Sequence, residues 1–287
     1  MLWFFLALAT AMSVAARDVS IKTYKEIDPP EIAVLELAWA LPYFLLGSLL
    51  VEMPPLDQTF WWSFFISIPI NIIAYVLYLY AIKISPISLS VPFLAFTPVF
   101  MILTGFFILA ETVNIWGAIG IVLIVLGGYL LHFTRNQGGM LAPLSAFARE
   151  KGSWLMLIVA ILFSFAAVIG KKAILHSSPL FFSYTFFLVF NLIVLGGFSL
   201  FRRIDWRKIR RNTPRGIWLG TLLMIHISFH SLAIVNATAV YMVAVKRSSI
   251  LFAVLLSWLI LREANIKYRG LGTLLMFVGM LFITLLG

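Results

Sequence analysis

The chain has 287 residues, 62% of them hydrophobic and 11% charged, with mean hydropathy +1.05 and a formal net charge of +10. Soluble domains are about 45–50% apolar and about 25% charged, so this composition excludes a large soluble domain and makes nucleic-acid binding a poor reading of the charge; Lys and Arg instead collect on one face of a membrane protein. Cysteine is absent, which excludes disulfides and thiolate metal sites.

A helix that crosses the hydrocarbon core needs about 20 mostly apolar residues. The first such run, residues 2–21, carries Ser13 to Ala16, which looks like a signal cleavage site, but no basic region precedes Leu2, so the run is read as an uncleaved span. Further spans are expected at 31–51, 60–82, 87–109, 113–133, 153–174, 179–201, 214–235, 238–261 and 266–286. Pro30, Pro86, Pro179 and Pro214 stand near span starts, where a missing N–H costs little. Asn212 and Thr213 supply a cap ahead of Pro214. Residues 134–152 are polar and form a linker, leaving residues 1–133 and 153–287 as two halves of five spans each.

The halves are copies at an offset of 152 residues. Ala81 to Glu111 matches Ala233 to Glu263 without a gap: Val91 falls on Val243, Phe100 on Phe252, Leu103 on Leu255 and Ile108 on Ile260. Gly120 falls on Gly272 and Gly127 on Gly279, and Trp154 to Val168 partners the first span. Five is odd, so the second copy enters the membrane upside down. The expected fold is an all-α integral membrane protein whose ten transmembrane helices form two inverted five-helix repeats, an architecture used by carriers, with a substrate site near the midplane between the halves. The loops after spans one, three, five, seven and nine hold 17 Lys and Arg, dominated by the cluster from Arg202 to Arg215, whereas the other side has only Lys171 and Lys172. The positive-inside rule places the arginine-rich side in the cytoplasm and both termini outside.

Enzymatic motifs are missing: there is no His-Glu-x-x-His, Gly-x-Ser-x-Gly or P-loop, and no cofactor motif. The pair Lys246 and Arg247 lies near the middle of the ninth span, where a charge costs about 2.5–3.5 kcal/mol on insertion scales. It reads as an anion contact or as a structural ion pair with Glu36 of the second span. One carboxylate cannot neutralise both cations. Asn71, Tyr75 and Tyr78 share a face of the third span; Ser90, Thr97 and Thr104 recur every seven residues on the fourth; Tyr184 and Asn191 share a face of the seventh. Such stripes turn inward, either to bond neighbouring helices or to line a substrate path. Tyr241, on the ninth span, joins the candidate lining. His226 and His230, four apart on the eighth span, share a face; with no carboxylate on that helix they read as a polar cavity lining rather than a metal site. Glu111 and Glu263 read as charges favourable at helix N-termini, and Gly216 with Gly220 as a close-packing motif.

The repeat, with each fourth helix ending in an apolar run and Glu (Phe107 to Glu111; Leu259 to Glu263) and each fifth helix carrying glycines, resembles the EamA-type drug/metabolite transporter superfamily over essentially the whole chain. The resemblance implies a carrier of a small metabolite working by alternating access, its cavity built from helices 1–4 and 6–9 with helices 5 and 10 peripheral. Val245 to Ser249 is similar to the Val-Lys-Arg stretch of the sugar-phosphate/phosphate translocators, which implies phosphate contact by Lys246 and Arg247. That family's third basic residue corresponds to Leu94 here, and EamA-type carriers usually keep both termini in the cytoplasm, against the loop charge of this chain. The expected function is a secondary transporter of a small anionic metabolite in the plasma membrane. An exporter of drugs or amino acids, and a flippase for a lipid-linked phosphate, stay open as alternatives. The expected partners are the substrate, the bilayer, and a coupling proton or counter-substrate, with monomer or homodimer left open; no cofactor, metal or nucleic acid is expected.

Overall fold

A computed structural model describes residues 1–24, 26–84, 91–132, 151–201, 205–261 and 270–287. Among them all regular secondary structure is helical: α1 Leu2–Thr23, α2 Pro29–Leu50, α3 Gln58–Ile84, a 3₁₀ turn Val91–Phe96 leading into α4 Thr97–Leu109, α5 Ile115–His132, α6 Lys151–Leu175, α7 Pro179–Phe201, the short α8 Trp206–Arg211, α9 Thr213–Ile234, α10 Ala239–Lys246, α11 Ser249–Leu261 and α12 Gly270–Leu285. Helix occupies every expected span, and the fourth and ninth are each in two pieces. Pro86, Ser90, Arg202, Arg203, Glu263 and linker residues 134–150 lie outside the described residues. One helix is additional to the expected ten. α8, in the arginine-rich loop, is capped by Asp205, whose carboxylate accepts the N–H groups of Arg207 at 3.0 Å and Lys208 at 3.2 Å.

Lipid tails are as apolar as leucine, so membrane helices associate where small residues let backbones approach. On α1, Ala7, Ala11 and Ala15 recur every four residues and are fully buried, and this helix packs along α9 and α11. On α9, a Cβ added at Gly216 would come 2.1 Å from Trp39 Cδ1, and one at Gly220 would come 2.8 Å from the Ala40 backbone nitrogen. Only glycine lets α9 seat this closely on α2, as the spacing predicts.

The glycines of α5 and α12 make the inversion visible. Gly120 and Gly127 are the repeat equivalents of Gly272 and Gly279, yet they meet crosswise. A Cβ at Gly120 would lie 2.7 Å from the Gly279 carbonyl oxygen, one at Gly279 would lie 2.6 Å from that of Gly120, and one at Gly127 would lie 2.6 Å from that of Gly272. Equivalent residues that pair in reverse order belong to antiparallel helices. Because α5 and α12 are the same helix of the two copies, their antiparallel contact is the inversion, with the pseudo-two-fold axis running between them. They pack chiefly on each other, away from the centre.

The end of the bundle away from the arginine-rich loop is held by polar and aromatic contacts. Asp57 accepts the Phe60 N–H at 2.8 Å and meets His176 Nδ1 at 2.6 Å; the Phe60 amide first, and His176 after it, hold its carboxyl below the usual carboxylate range. Phe60 packs on Phe181 with ring centroids 6.2 Å apart, and Phe64 on Phe186 at 5.7 Å, joining α3 to α7. After α4, Ala110 adopts φ 54°, a left-handed turn. It swings Glu111 back onto Lys171 of α6 and onto the Ala239 N–H at the start of α10, 2.8 Å away. Glu111 was expected to serve the N-terminus of the following helix; in three dimensions it caps the first turn of α10, in the other repeat.

Candidate functional site

The ninth span breaks at its basic pair. α10 ends at Lys246; the Arg247 N–H bonds back to the carbonyls of Val243 at 3.2 Å and Ala244 at 3.1 Å, and the Ser248 N–H to Val245 at 2.9 Å, before α11 restarts at Ser249. These tightened bonds leave both cations beside the carbonyl end of α10, where the helix dipole favours positive charge. The eight residues of α10 span about 12 Å at about 1.5 Å per residue. With a hydrocarbon half-thickness of about 15 Å, the break falls near the midplane. The fourth span changes from 3₁₀ turn to α4 at Thr97, the equivalent level. The two breaks touch: Arg247 Nη2 donates to Thr97 Oγ1 at 2.8 Å, and Thr97 in turn donates to the Leu94 carbonyl at 2.7 Å.

Among the described residues Lys246 forms no ion pair, and Arg247 is the only charged group among them that acts on it. It lies within electrostatic range of His226 and His230 on α9, whose rings meet edge to face at 6.2 Å. His226 Nε2, His230 Nδ1, Arg247 Nε, Ser248 Oγ and Tyr75 OH are buried polar atoms with no protein partner. Most buried polar atoms are hydrogen-bonded, and these five are exceptions, as are Trp39 Nε1, Ser67 Oγ, Asn191 Oδ1 and Thr238 Oγ1 elsewhere in the bundle. Tyr78, half-buried on α3, lies within electrostatic range of Arg247.

The partner of Glu36 differs from the expectation. Its carboxylate, 2% exposed, accepts two hydrogen bonds from Arg17 on α1, Nε to Oε1 at 2.5 Å and Nη2 to Oε2 at 2.6 Å. The bidentate fork consumes it, and it is not the counter-ion of Lys246 or Arg247. The total of 17 basic residues on the arginine-rich side includes Arg17, which lies inside α1 and is 26% exposed. Arg17 lies within electrostatic range of both Tyr78 and His226, and neither it nor Glu36 acts on Lys246 or Arg247. Sequence reasoning missed Arg17 because an arginine within two turns of a span end looks like a flanking charge. The available signal was its repeat equivalent, Ile169.

Other candidates go elsewhere. Tyr241 is buried against the loop before α5: its hydroxyl accepts the Asn114 N–H at 3.2 Å, and its ring lies over Gly117. Asn71 spends its amide on the Ser67 carbonyl of its own helix at 2.8 Å, and Thr104 bonds Phe100 O at 3.4 Å. Tyr184 bonds Ser228 at 3.0 Å and Asn191 the Leu37 carbonyl at 3.2 Å, so that stripe ties helices together. No group of three His, Asp or Glu residues able to hold a metal occurs among the described residues.

Comparing the two copies separates scaffold from chemistry. Lys246 and Arg247 fall on Leu94 and Ala95, Arg17 on Ile169, Lys171 on Val19, and Glu36 among Phe186 to Leu188. One fold is thus built with and without each intramembrane charge. Tyr78 and His230 are equivalent and both polar, so the two copies share a polar position while differing in charge.

Among curated proteins none matches the chain. A solved structure described only as "Crystal structure of protein" has the same fold, with TM-score 0.80 at 13% identity over 99% of this chain and 96% of its own. The EamA-like transporter family model matches residues 1–133 and again residues 150–285, one match for each copy of the repeat. Two matches that together span nearly the whole chain, on a fold of two inverted helical repeats with a polar break between them, establish that this chain belongs to the EamA-like transporter family.

Proposed function

We propose that the protein is a secondary transporter for a small anionic metabolite, bound at the break of the ninth span by Lys246 and Arg247 and moved by alternating access. The observation that carries this reading is the pair of cations at the midplane with Glu36 engaged by Arg17 and no other carboxylate acting on them among the described residues. A desolvated cation is tolerated where something compensates it, and an anionic substrate supplies that compensation. His226, His230, Tyr75 and Ser248 offer hydrogen-bonding atoms for the rest of the ligand. The half-helix ends that meet at Thr97 and Arg247 support a midplane site between the repeats. We further propose a plasma-membrane location with the arginine-rich side in the cytoplasm.

The test is a thermal-shift screen of purified protein against phosphorylated sugars, nucleotides, organic acids and amino acids, since a specific ligand stabilises the state that binds it. Anions are expected to be the binders. Lys246→Gln and Arg247→Gln are each expected to weaken binding at least about tenfold, the equivalent of 1.4 kcal/mol, while the protein still folds. Stabilisation by amines or neutral amino acids that persists in both variants would falsify the anionic reading.

A further inference from the structure

A topology signal needs only charge in a loop, but the arginine-rich loop of this chain folds part of that charge into α8. α7 runs for 23 residues, about 35 Å at about 1.5 Å per residue, longer than the hydrocarbon core of about 30 Å, which brings its end at Phe201 to the headgroup level. α9 starts at Thr213, and the Asn212 N–H bonds back to the Lys208 carbonyl at 3.1 Å, so α8 is held where the two spans leave the core. One face of α8 is seated on the bundle: Ile209 is buried, and Lys208 Nζ meets the Glu31 carboxylate of α2 at 3.1 and 3.2 Å. At about 100° per residue, Trp206, Arg207, Arg210 and Arg211 fall within an arc of about 140° on the opposite face. All four are exposed. The neighbouring cations have partners: Lys208 has Glu31, and Arg215 bonds Asn212 Oδ1 at 3.1 Å and lies over the Tyr24 ring at 5.0 Å. Among the described residues no carboxylate pairs with Arg207, Arg210 or Arg211, because Asp205 caps α8 through its own backbone and Glu31 is held by Lys208.

We infer that the outer face of α8 is a docking surface for anionic phospholipid, with Arg207, Arg210 and Arg211 taking headgroup phosphate oxygens and Trp206 lying in the interface beside them. Charge complementarity and position choose this occupant. Three cations of one sign, fixed on one helix face at the headgroup level, meet the negative lipid surface at the distance where its attraction is strongest. The planar guanidinium presents two parallel N–H groups that match a phosphate. An exposed tryptophan at the same level belongs to the membrane–water boundary, where its amphipathic ring is favoured. Ile209 and Lys208 keep the face turned outward, so the helix adds to the loop charge a fixed spacing and direction. The surface is independent of what the ninth span binds.

The experiment equilibrates the purified full-length protein in neutral detergent with equal amounts of phosphatidylglycerol and phosphatidylcholine, repurifies it, and counts the retained lipids by mass spectrometry. Detergent removes any effect of a changed membrane orientation. Each arginine near an anionic surface is worth about fivefold, so wild type is expected to retain phosphatidylglycerol over phosphatidylcholine by at least that factor. The triple variant Arg207→Gln/Arg210→Gln/Arg211→Gln, which alters only exposed side chains, is expected to lose most of the preference with an unchanged unfolding temperature, and the corresponding triple lysine variant to keep it. Ile209→Pro leaves every charge in place but removes the Ile209 N–H bond to the Asp205 carbonyl, 3.1 Å long, and unseats the helix; it is expected to lower the preference at least about twofold. No preference in wild type, or a preference that survives the triple glutamine variant, overturns the docking surface. A preference untouched by Ile209→Pro shows that loop charge suffices and overturns the role of the helix. Inorganic phosphate, at an ionic strength matched with chloride, is expected to displace no more lipid than chloride does; greater displacement makes this a site for free phosphate and overturns the lipid assignment.

Discussion

Arg17 and Glu36 show how burial decides what a charge is for. At a surface such a pair contributes about 0–1 kcal/mol. Here the carboxylate is 2% exposed and gripped by a two-bond fork, and removing one member leaves the other charged in a dry place. Arg17→Gln is therefore expected to destabilise the folded protein by about 3–5 kcal/mol. The double variant Arg17→Gln/Glu36→Gln should recover most of that loss, and thermal unfolding in one detergent would show it. Equal instability of single and double variants would contradict this account. The pair was only half legible in the sequence. Glu36 is conspicuous in an apolar run, but its partner depended on how α1 lies against α2. Lys246 and Arg247 were legible because no span-end assignment accounts for two adjacent cations so far inside an apolar segment.

Among the elements, α5 and α12 depend on backbone contact. Gly120 and Gly279 each point the place of a missing Cβ at the other's carbonyl, at 2.7 and 2.6 Å. A methyl group there forces the helices apart, so Gly120→Ala and Gly279→Ala are each expected to destabilise by about 1–3 kcal/mol. The double variant should be less than additive, because one separation relieves both clashes. Gly196→Ala on α7, where a Cβ would meet nothing within 4 Å, serves as the control and should be silent in the same denaturant titration. The repeat register predicted these glycines as equivalent pairs. It did not say that they touch, since a sequence offset carries no information on which copies face each other. Similarly, the break of the ninth span was invisible: Ala239 to Leu261 reads as one apolar run, and only the i−3 bonds at Arg247 and Ser248 divide it.

For the whole molecule, the inverted repeat and the distribution of loop charge are separate facts. Inversion fixes that the two copies oppose each other; Lys and Arg fix which way the assembly lies. With 17 basic residues on one side and Lys171 and Lys172 alone on the other, a reporter active only in the cytoplasm is expected to be silent when fused after Gly287. An active fusion would reverse the proposed orientation. The structure sharpens the count at both ends: Arg17 leaves the loop total for the core, and Lys171 is buried on Glu111, so neither is a free loop charge and the contrast remains.

The sequence by itself determined the membrane class, the positions of the spans, the repeat and its inversion, because those follow from hydropathy and counting along one chain. Only the tertiary structure decided which charges meet. Glu36 joins Arg17, Glu111 reaches across to Lys171 and α10, and Tyr241 turns away to Asn114. Partners of this kind lie tens of residues apart, and helix rotation and crossing, set by where small residues let backbones close, choose among them.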